Sequence, residues 1–279
     1  MLVTELKSLE RINEYNVDLL ILNTIYTSVC DFYVDINQLY LFKNKQIALN
    51  LDKIIDEQEL VDLDDFIKQT LNYNISFYIY TDMSVYCVLK KYGLENKSVY
   101  FSKTINCSTY DIKQYNDMFI KCLVSTELTI DDLIKISNIE NNFIYTYGSF
   151  SIFYSKRKLL SLYKEYANLD YQSQNKKYTL LEETREEHYP VIENKNGTFV
   201  YGSYNYLLFK EIELLNKNNY FYISSVFINE DDLIKILNIY NLGFKNGFNE
   251  QLLNVLKFIN NNIGSSFLYL KPEILKESK

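Results

Sequence analysis

The order in which short apolar runs and amphipathic segments alternate is the feature that most constrains this chain. Strand-like runs lie at residues 2–4, 18–22, 46–49, 75–80, 99–102, 119–124 and 143–147. Helical patterns sit between them, most clearly over 56–71, where Leu60, Leu63, Ile67 and Leu71 recur at helical spacing with carboxylates opposite. β and α units alternating at this length predict an α/β fold, a parallel sheet with crossover helices. The string DDLIKI occurs at 131–136 and again at 231–236, each copy preceded by a capping residue, Thr129 or Asn229. The second copy marks a further strand over 220–224 running into a helix over 230–240. That strand brings the expected total to eight, the number that closes a (β/α)₈ TIM-like barrel, although an incomplete barrel is equally compatible.

The texture changes in between. Residues 155–167 read as a polar, basic helix and 168–177 as a loop. Residues 178–201 contain Tyr189-Pro190 and the turn pair Asn196-Gly197, which suit short strands and a hairpin. A helix is expected over 206–215. The chain is thus read as one barrel-like domain, 1–279, with a loop and β insertion at 168–205 ahead of the last strand.

Apolar residues make up 47% of the chain and charged residues 23%, a globular rather than disordered composition. The net charge of −7 disfavours binding of nucleic acid or anionic membrane by the whole surface, while leaving a local basic patch open. No stretch approaches the ~18 apolar residues of a spanning helix, and the first residues lack the apolar core of a signal peptide. A cytoplasmic protein away from membranes is expected, in which Asn196-Gly197-Thr198 serves as a turn rather than a glycosylation acceptor. Cys30, Cys87, Cys107 and Cys122 lie far apart without close pairing, so reduced structural thiols are expected and no metal site of sequence-local ligands.

The residue types needed for familiar chemistries are sparse. His188 is the only histidine and lies in the polar run EETREEHYP, which suggests an exposed loop rather than a hydrolytic triad. With seven glycines there is neither GxGxxG nor GxxxxGK[ST] to cradle a phosphate. Barrel enzymes present functional side chains at the C-terminal ends of strands, which selects Asn50, Asp82, Glu127, and Tyr147 with Gly148. Asp82 is equally suited to capping the helix from Met83, and Glu127 to supporting the first turn of the next helix. Residues 147–161, YGSFSIFYSKRKLLS, place the cations Lys156, Arg157 and Lys158 among Tyr154, Tyr163 and Tyr166. Cations interleaved with aromatics grip phosphates and stack bases; a solvated helix face is the plainer alternative.

That segment resembles the hallmark of peptidase family U-32, the collagenase-like peptidases, which reads roughly HGxxCxxYSGRCxxS at the end of a barrel strand. Gly148, Tyr154, Ser155, Arg157, Leu160 and Ser161 fit it. Tyr147 replaces the histidine, Ser151 the first cysteine, Lys156 the glycine and Lys158 the second cysteine. Thr81-Asp82-Met83-Ser84 is similar to the family's DxG turn, and Ser125-Thr126-Glu127-Leu128-Thr129 to its RELS element. Pro190, Gly197, Thr198 and Ser203 match a downstream stretch in which Asn205 replaces an Asp. YFYISS stands where the family has KIEGR, and the tail SSFLYLKPEILK resembles its closing GFLY segment. Members that modify RNA or quinones hold an iron–sulfur cluster on four cysteines, two in the hallmark and two in the loop that follows. The corresponding loop here, NLDYQSQNKKY, has none, so the resemblance implies no iron–sulfur cofactor.

Three functions stay open on these grounds. The resemblance implies first a non-catalytic paralogue, a pseudoenzyme that partners a cysteine-bearing relative and tRNA in uridine hydroxylation. In that role Tyr154, Ser155, Lys156, Arg157 and Lys158 would contact RNA or the partner, with Asp82, Glu127 and Tyr147 lining the pocket. The second is a peptidase, and the third a barrel that binds a small molecule.

Overall fold

The computed structural model describes residues 1–102, 105–184, 186–265 and 268–269. Most of the tail that resembles GFLY therefore lies outside the described residues. Seven strands come first: β1 (Leu2–Glu5), β2 (Leu19–Asn23), β3 (Ile47–Leu51), β4 (Phe77–Tyr80), β5 (Ser98–Tyr100), β6 (Ile120–Val124) and β7 (Phe143–Gly148). Each pairs in parallel with the next. The chain then departs through β8 (Ser151–Ser155), β9 (Lys177–Leu181), β10 (His188–Asn194), β11 (Gly197–Tyr201) and β12 (Asn205–Leu207). It returns as β13 (Tyr220–Ile223), which pairs in parallel with β7, Tyr220 opposite Phe143, and with β1, Phe221 opposite Leu2. β13 closes the ring, so the expected (β/α)₈ barrel is complete and closed.

The crossovers from β3 onward carry α1 (Leu60–Thr70), α2 (Met83–Lys91), α3 (Thr109–Asp117) and α4 (Ile130–Ser137). α5 (Leu159–Tyr166) lies between β8 and β9, and α6 (Glu230–Asn246) and α7 (Glu250–Ile259) follow β13. Both DDLIKI copies begin helices capped in the same way. The Thr129 hydroxyl accepts from the Asp132 amide, and Asn229 Oδ1 from the Asp232 amide, satisfying N–H groups that a helix start leaves open. The first two crossovers depart from the alternating pattern, with only 3₁₀ turns at Ile12–Glu14 and Ile36–Phe42. Tyr15 and Phe42 anchor these turns in the core.

Aromatic rings fill much of the barrel. β4 and β7 are not neighbours in the ring, yet Phe77 and Phe143 meet edge to face at 6.0 Å, so they meet across the interior. Tyr220 stacks on Phe143 at 4.6 Å, and Tyr222 contacts Phe101 at 5.5 Å and Tyr145 at 5.1 Å. Such pairs add about 0.5–1.5 kcal/mol each beyond the area they bury. The abundance of Tyr and Phe in the sequence is thus partly structural: rings take the place of the branched aliphatic layers common in such barrels.

Two predicted helices come out differently. Of residues 155–167, expected to be one helix, the first belongs to β8 and only Leu159–Tyr166 is α-helical. SIFYS has strand propensity and pairs with β11, Tyr154 opposite Phe199. Residues 206–215 form β12 and a 3₁₀ turn at Lys210–Leu214, because Tyr206 pairs antiparallel with Gly148 and the Leu208 amide donates to the Thr146 carbonyl at 2.8 Å. Backbone pairing to β7 outweighs the local helical pattern. His188 begins β10 rather than sitting in a loop, though it is exposed. β8, β11, β10 and β9 form one antiparallel sheet. Its hairpin depends on Gly197, where φ is +132° and a Cβ would sit 2.3 Å from the Ser155 carbonyl oxygen. No helix among the described residues is long and apolar enough to cross a membrane.

Candidate functional site

The antiparallel sheet lies over the C-terminal end of the barrel. Its hairpin is fastened to the loop after β2, with Asn194 Nδ2 donating to the Ser28 carbonyl at 2.9 Å and Asn196 Nδ2 to the same oxygen at 3.0 Å. Beneath it is a cavity of about 90 Å³, floored by strand ends and roofed by Ile192 and Tyr201. This matches where barrel folds place their sites.

Three strand-end residues face this cavity. Glu5 ends β1 and is 5% exposed. Its Oε1 accepts from the Tyr222 hydroxyl, and its Oε2 from the Ser225 amide at 2.7 Å. Burial pushes the Glu5 carboxyl above its ordinary range, and the two hydrogen bonds only partly offset this. Burial, followed by the nearby Glu5 charge, pushes Tyr222 in the same direction. Asn23 ends β2, and its Oδ1 accepts from Asn50 Nδ2 of β3 at 3.0 Å. The Asn50 carbonyl is held by the Thr24 and Thr27 hydroxyls at 2.8 and 3.0 Å. Around these groups, Asp52 accepts from the Ser28 amide and hydroxyl at 2.7 and 2.9 Å. Lys7 donates to the Ser225 carbonyl at 3.2 Å and lies 3.5 Å from Asp31.

The residues selected from the sequence are dispersed. Asp82 caps α2 through the Ser84 amide at 2.9 Å and also accepts from the Ile55 amide at 2.9 Å, so its carboxylate holds two backbone segments together. Glu127 is exposed, and it is Thr126 beside it that lines the cavity. Tyr147 is 0% exposed, but its ring packs edge to face against Tyr240 of α6 at 6.4 Å, on the helix side of the barrel wall. Burial pushes its hydroxyl up to about 12. The neighbouring Tyr145 reaches the cavity instead, its hydroxyl donating to the Ser149 carbonyl at 2.6 Å. Asn50 is therefore the strand-end residue selected from the sequence that faces the cavity directly.

The hallmark segment forms the strand–turn–helix from β8 to α5. Tyr154 lies on Phe199 at 4.9 Å and donates to the Asn196 carbonyl at 3.1 Å. It also lines a second cleft, of about 250 Å³, between the sheet and the loops after β3 and β4. The Ser155 hydroxyl accepts from the Arg157 amide at 3.2 Å, shaping the turn. Lys156, Arg157 and Lys158 are exposed there, with Lys156 paired to Asp56. The turn is anchored by Glu193 of β10, 0% exposed, which accepts from the Leu160 amide at 2.7 Å, the Ser161 amide at 3.2 Å and the Ser161 hydroxyl. On the outer face, Ile152, Phe153, Leu159, Tyr163, Leu180 and Leu181 line an open apolar groove of about 630 Å³.

Sequence reasoning missed Glu5, Tyr145, Tyr201, Tyr222 and Glu193. Glu5 carried a usable signal, since it is a charged residue directly after the first apolar run, to which the strand-end rule applies equally. The tyrosines carried none, because 27 tyrosines make any single one uninformative. Cys122 lies buried in β6, its thiol pushed up to about 12 by burial, and Cys30 is half-buried and pushed up to about 11. Cys87 and Cys107 are at the surface.

Searches of curated proteins and of solved structures returned no match. The model of peptidase family U32 matches residues 35–274, which takes in all of the barrel except β1 and β2 together with the whole sheet above it. The chain belongs to peptidase family U32.

Proposed function

We propose that this chain is a non-catalytic member of its family, acting in the cytoplasm beside a cysteine-bearing relative and supporting hydroxylation of uridine in tRNA. The observation that carries the non-catalytic part is that the positions of the family's cluster cysteines hold other residues. Glu5, Asp52, Asp82 and Glu193 each accept from backbone amides and so tie the loops to the barrel mouth. Ser151 and Lys158 stand where the family carries cysteines. Neither a hydroxyl nor an ammonium supplies the thiolate that an iron–sulfur cluster requires, so in this reading the chain binds no cluster of its own.

Two surfaces support the partner and RNA parts. Exposed Lys156, Arg157 and Lys158, with exposed Tyr163 and Tyr166, offer phosphate contacts beside stacking rings. The apolar groove beside them is the kind of exposed patch that marks a protein contact. The test is to recover the tagged chain from its native cells and identify the proteins and RNA that come with it. A cysteine-bearing family member together with tRNA is the expected result. Recovery of the chain alone overturns the proposal. A second reading, a barrel that binds a small molecule, is favoured by the cavity at the barrel mouth.

A further inference from the structure

The two edges of the antiparallel sheet differ. At β8 the edge is turned toward the barrel: Ser151 to Tyr154 border the cleft against the loops after β3 and β4, and Lys156, just beyond, pairs with Asp56 of the loop after β3. β9 forms the other edge and is paired with β10 alone. That pairing runs from Lys177 to Leu181 without a shift, so no bulge turns the edge away. Edge strands are usually protected by charges, prolines or bulges, because their open N–H and C=O groups are a template for another strand. In β9 only Lys177, at its start, is of that kind. Tyr178, Thr179, Leu180 and Leu181 carry no charge, and Leu180 and Leu181 are 42% and 68% exposed.

Charge at the two ends of β9 selects what pairs with it. Lys176 and Lys177 stand at its start, and Glu182, Glu183, Glu186 and Glu187 follow its end, with Arg185 the one cation in that run. The two lysines and four glutamates are exposed. Such a strand is complementary to itself turned end for end. We infer that a second copy of this chain pairs its β9 antiparallel with this one, giving a two-fold dimer with one continuous eight-stranded sheet. With Thr179 on the axis, Tyr178 stands opposite the second copy's Leu180, and Lys176 opposite its Glu182. Lys177 stands opposite its Leu181 and diagonal to its Glu183. Opposed residues are an even number of positions apart, so each pair shares a face of the sheet. Leu180 lines the outer apolar groove, so the grooves of the two copies join across the axis. Because the β8 edge faces the barrel, association stops at two. Lys156, Arg157 and Lys158 follow β8, at the far edge, so this pairing is separate from the RNA contacts proposed for them.

The test is the mass of the full chain in solution, measured by sedimentation equilibrium over a range of concentrations. A reversible dimer is expected for the wild type. Lys176→Glu with Lys177→Glu sets like charges opposite one another, and so does Glu182→Lys with Glu183→Lys. Each doubly substituted chain is expected to associate at least about a hundredfold more weakly than wild type, the scale of like-charge juxtaposition across an interface. An equimolar mixture of the two is expected to dimerise again, because each supplies the charge that the other lacks. Hydrogen exchange on the wild type needs no variant to fold: protection over residues 177–181 should rise with concentration. A wild type that stays monomeric overturns the inference. So do dimers that survive both charge reversals, and protection that rises elsewhere but not along β9. Two variants that keep the wild-type melting curve, yet stay monomeric when mixed, overturn it as well.

Discussion

Replacing Glu193 should loosen the cationic turn while leaving the barrel intact. Its carboxylate accepts from the amides of Leu160 and Ser161 at the start of α5, and from the Ser161 and Thr198 hydroxyls. Hydrogen bonds to a charged group are worth about 1.5–3 kcal/mol each, so the two amide bonds together represent roughly 3–6 kcal/mol. Glu193→Ala also removes the cost of burying a charge, which is several kcal/mol, leaving a net loss near ~3 kcal/mol. Glu193→Gln keeps one acceptor oxygen and should lose about half as much, ~1.5 kcal/mol. Urea denaturation gives the magnitude, and hydrogen exchange gives the place. Protection should fall at Leu160 and Ser161 and along β8 and β11, but not along β1 to β6. If both variants lie within about 0.5 kcal/mol of wild type, the usual range for an unimportant surface change, then Glu193 does not organise the turn and the reasoning fails.

Other outcomes follow from the same structure. Burial raises the Glu5 pKa above its unfolded value, so the contribution of Glu5 to stability is fully present below the unfolded pKa and is lost as pH rises through the folded one. Glu5→Gln should therefore gain on wild type between acidic and neutral pH, by at most about 1.4 kcal/mol per pH unit; an equal stability difference in urea at acidic and at neutral pH refutes this. Removing Lys156, Arg157 and Lys158 together should weaken RNA recovery and flatten its salt dependence by about one unit for each phosphate that is no longer neutralised. The Lys156–Asp56 pair is exposed and worth about 0–1 kcal/mol, so an unchanged melting curve should accompany that effect, and retained RNA would show that the triplet is only solvated. Gly197→Ala places a Cβ against the Ser155 carbonyl at positive φ and should cost about 1–3 kcal/mol, seen as a lowered melting temperature; a neutral effect would mean that the hairpin shifts freely.

The barrel was readable because each of its strands is short, apolar and followed by a segment of different periodicity, as in the runs that became β4 and β7. The strand-end rule then reached Asn50. It failed at Tyr147 because Tyr145 and Tyr147, two residues apart, would share a face in a regular strand, whereas here the register of β7 against β13 shifts: Tyr222 stands opposite Tyr145 and Ile223 opposite Tyr147, leaving Thr146 extra. The sequence shows no sign of that irregularity, and it helps decide which ring reaches the cavity. The residues from Ser151 to Leu215 were hardest to read, because their structure comes from partners distant in sequence. β8 is a strand because β11 lies beside it, α5 begins where Glu193 caps it, and β12 is extended because β7 offers an edge. Local propensity has no access to such partners.

β13 pairs with β7 on one side and β1 on the other, joining Phe221 to Leu2. During synthesis, then, the first strand made must wait for the last strand of the ring, with the whole antiparallel sheet emerging in between. Until β13 arrives, β1 and β7 are both open sheet edges carrying unpaired backbone donors and acceptors, the groups through which chains pair wrongly with one another. Pairings that span so much of the chain also form slowly. A chain truncated anywhere before Tyr220 would thus be an open sheet prone to association, whatever its remaining strands could otherwise form.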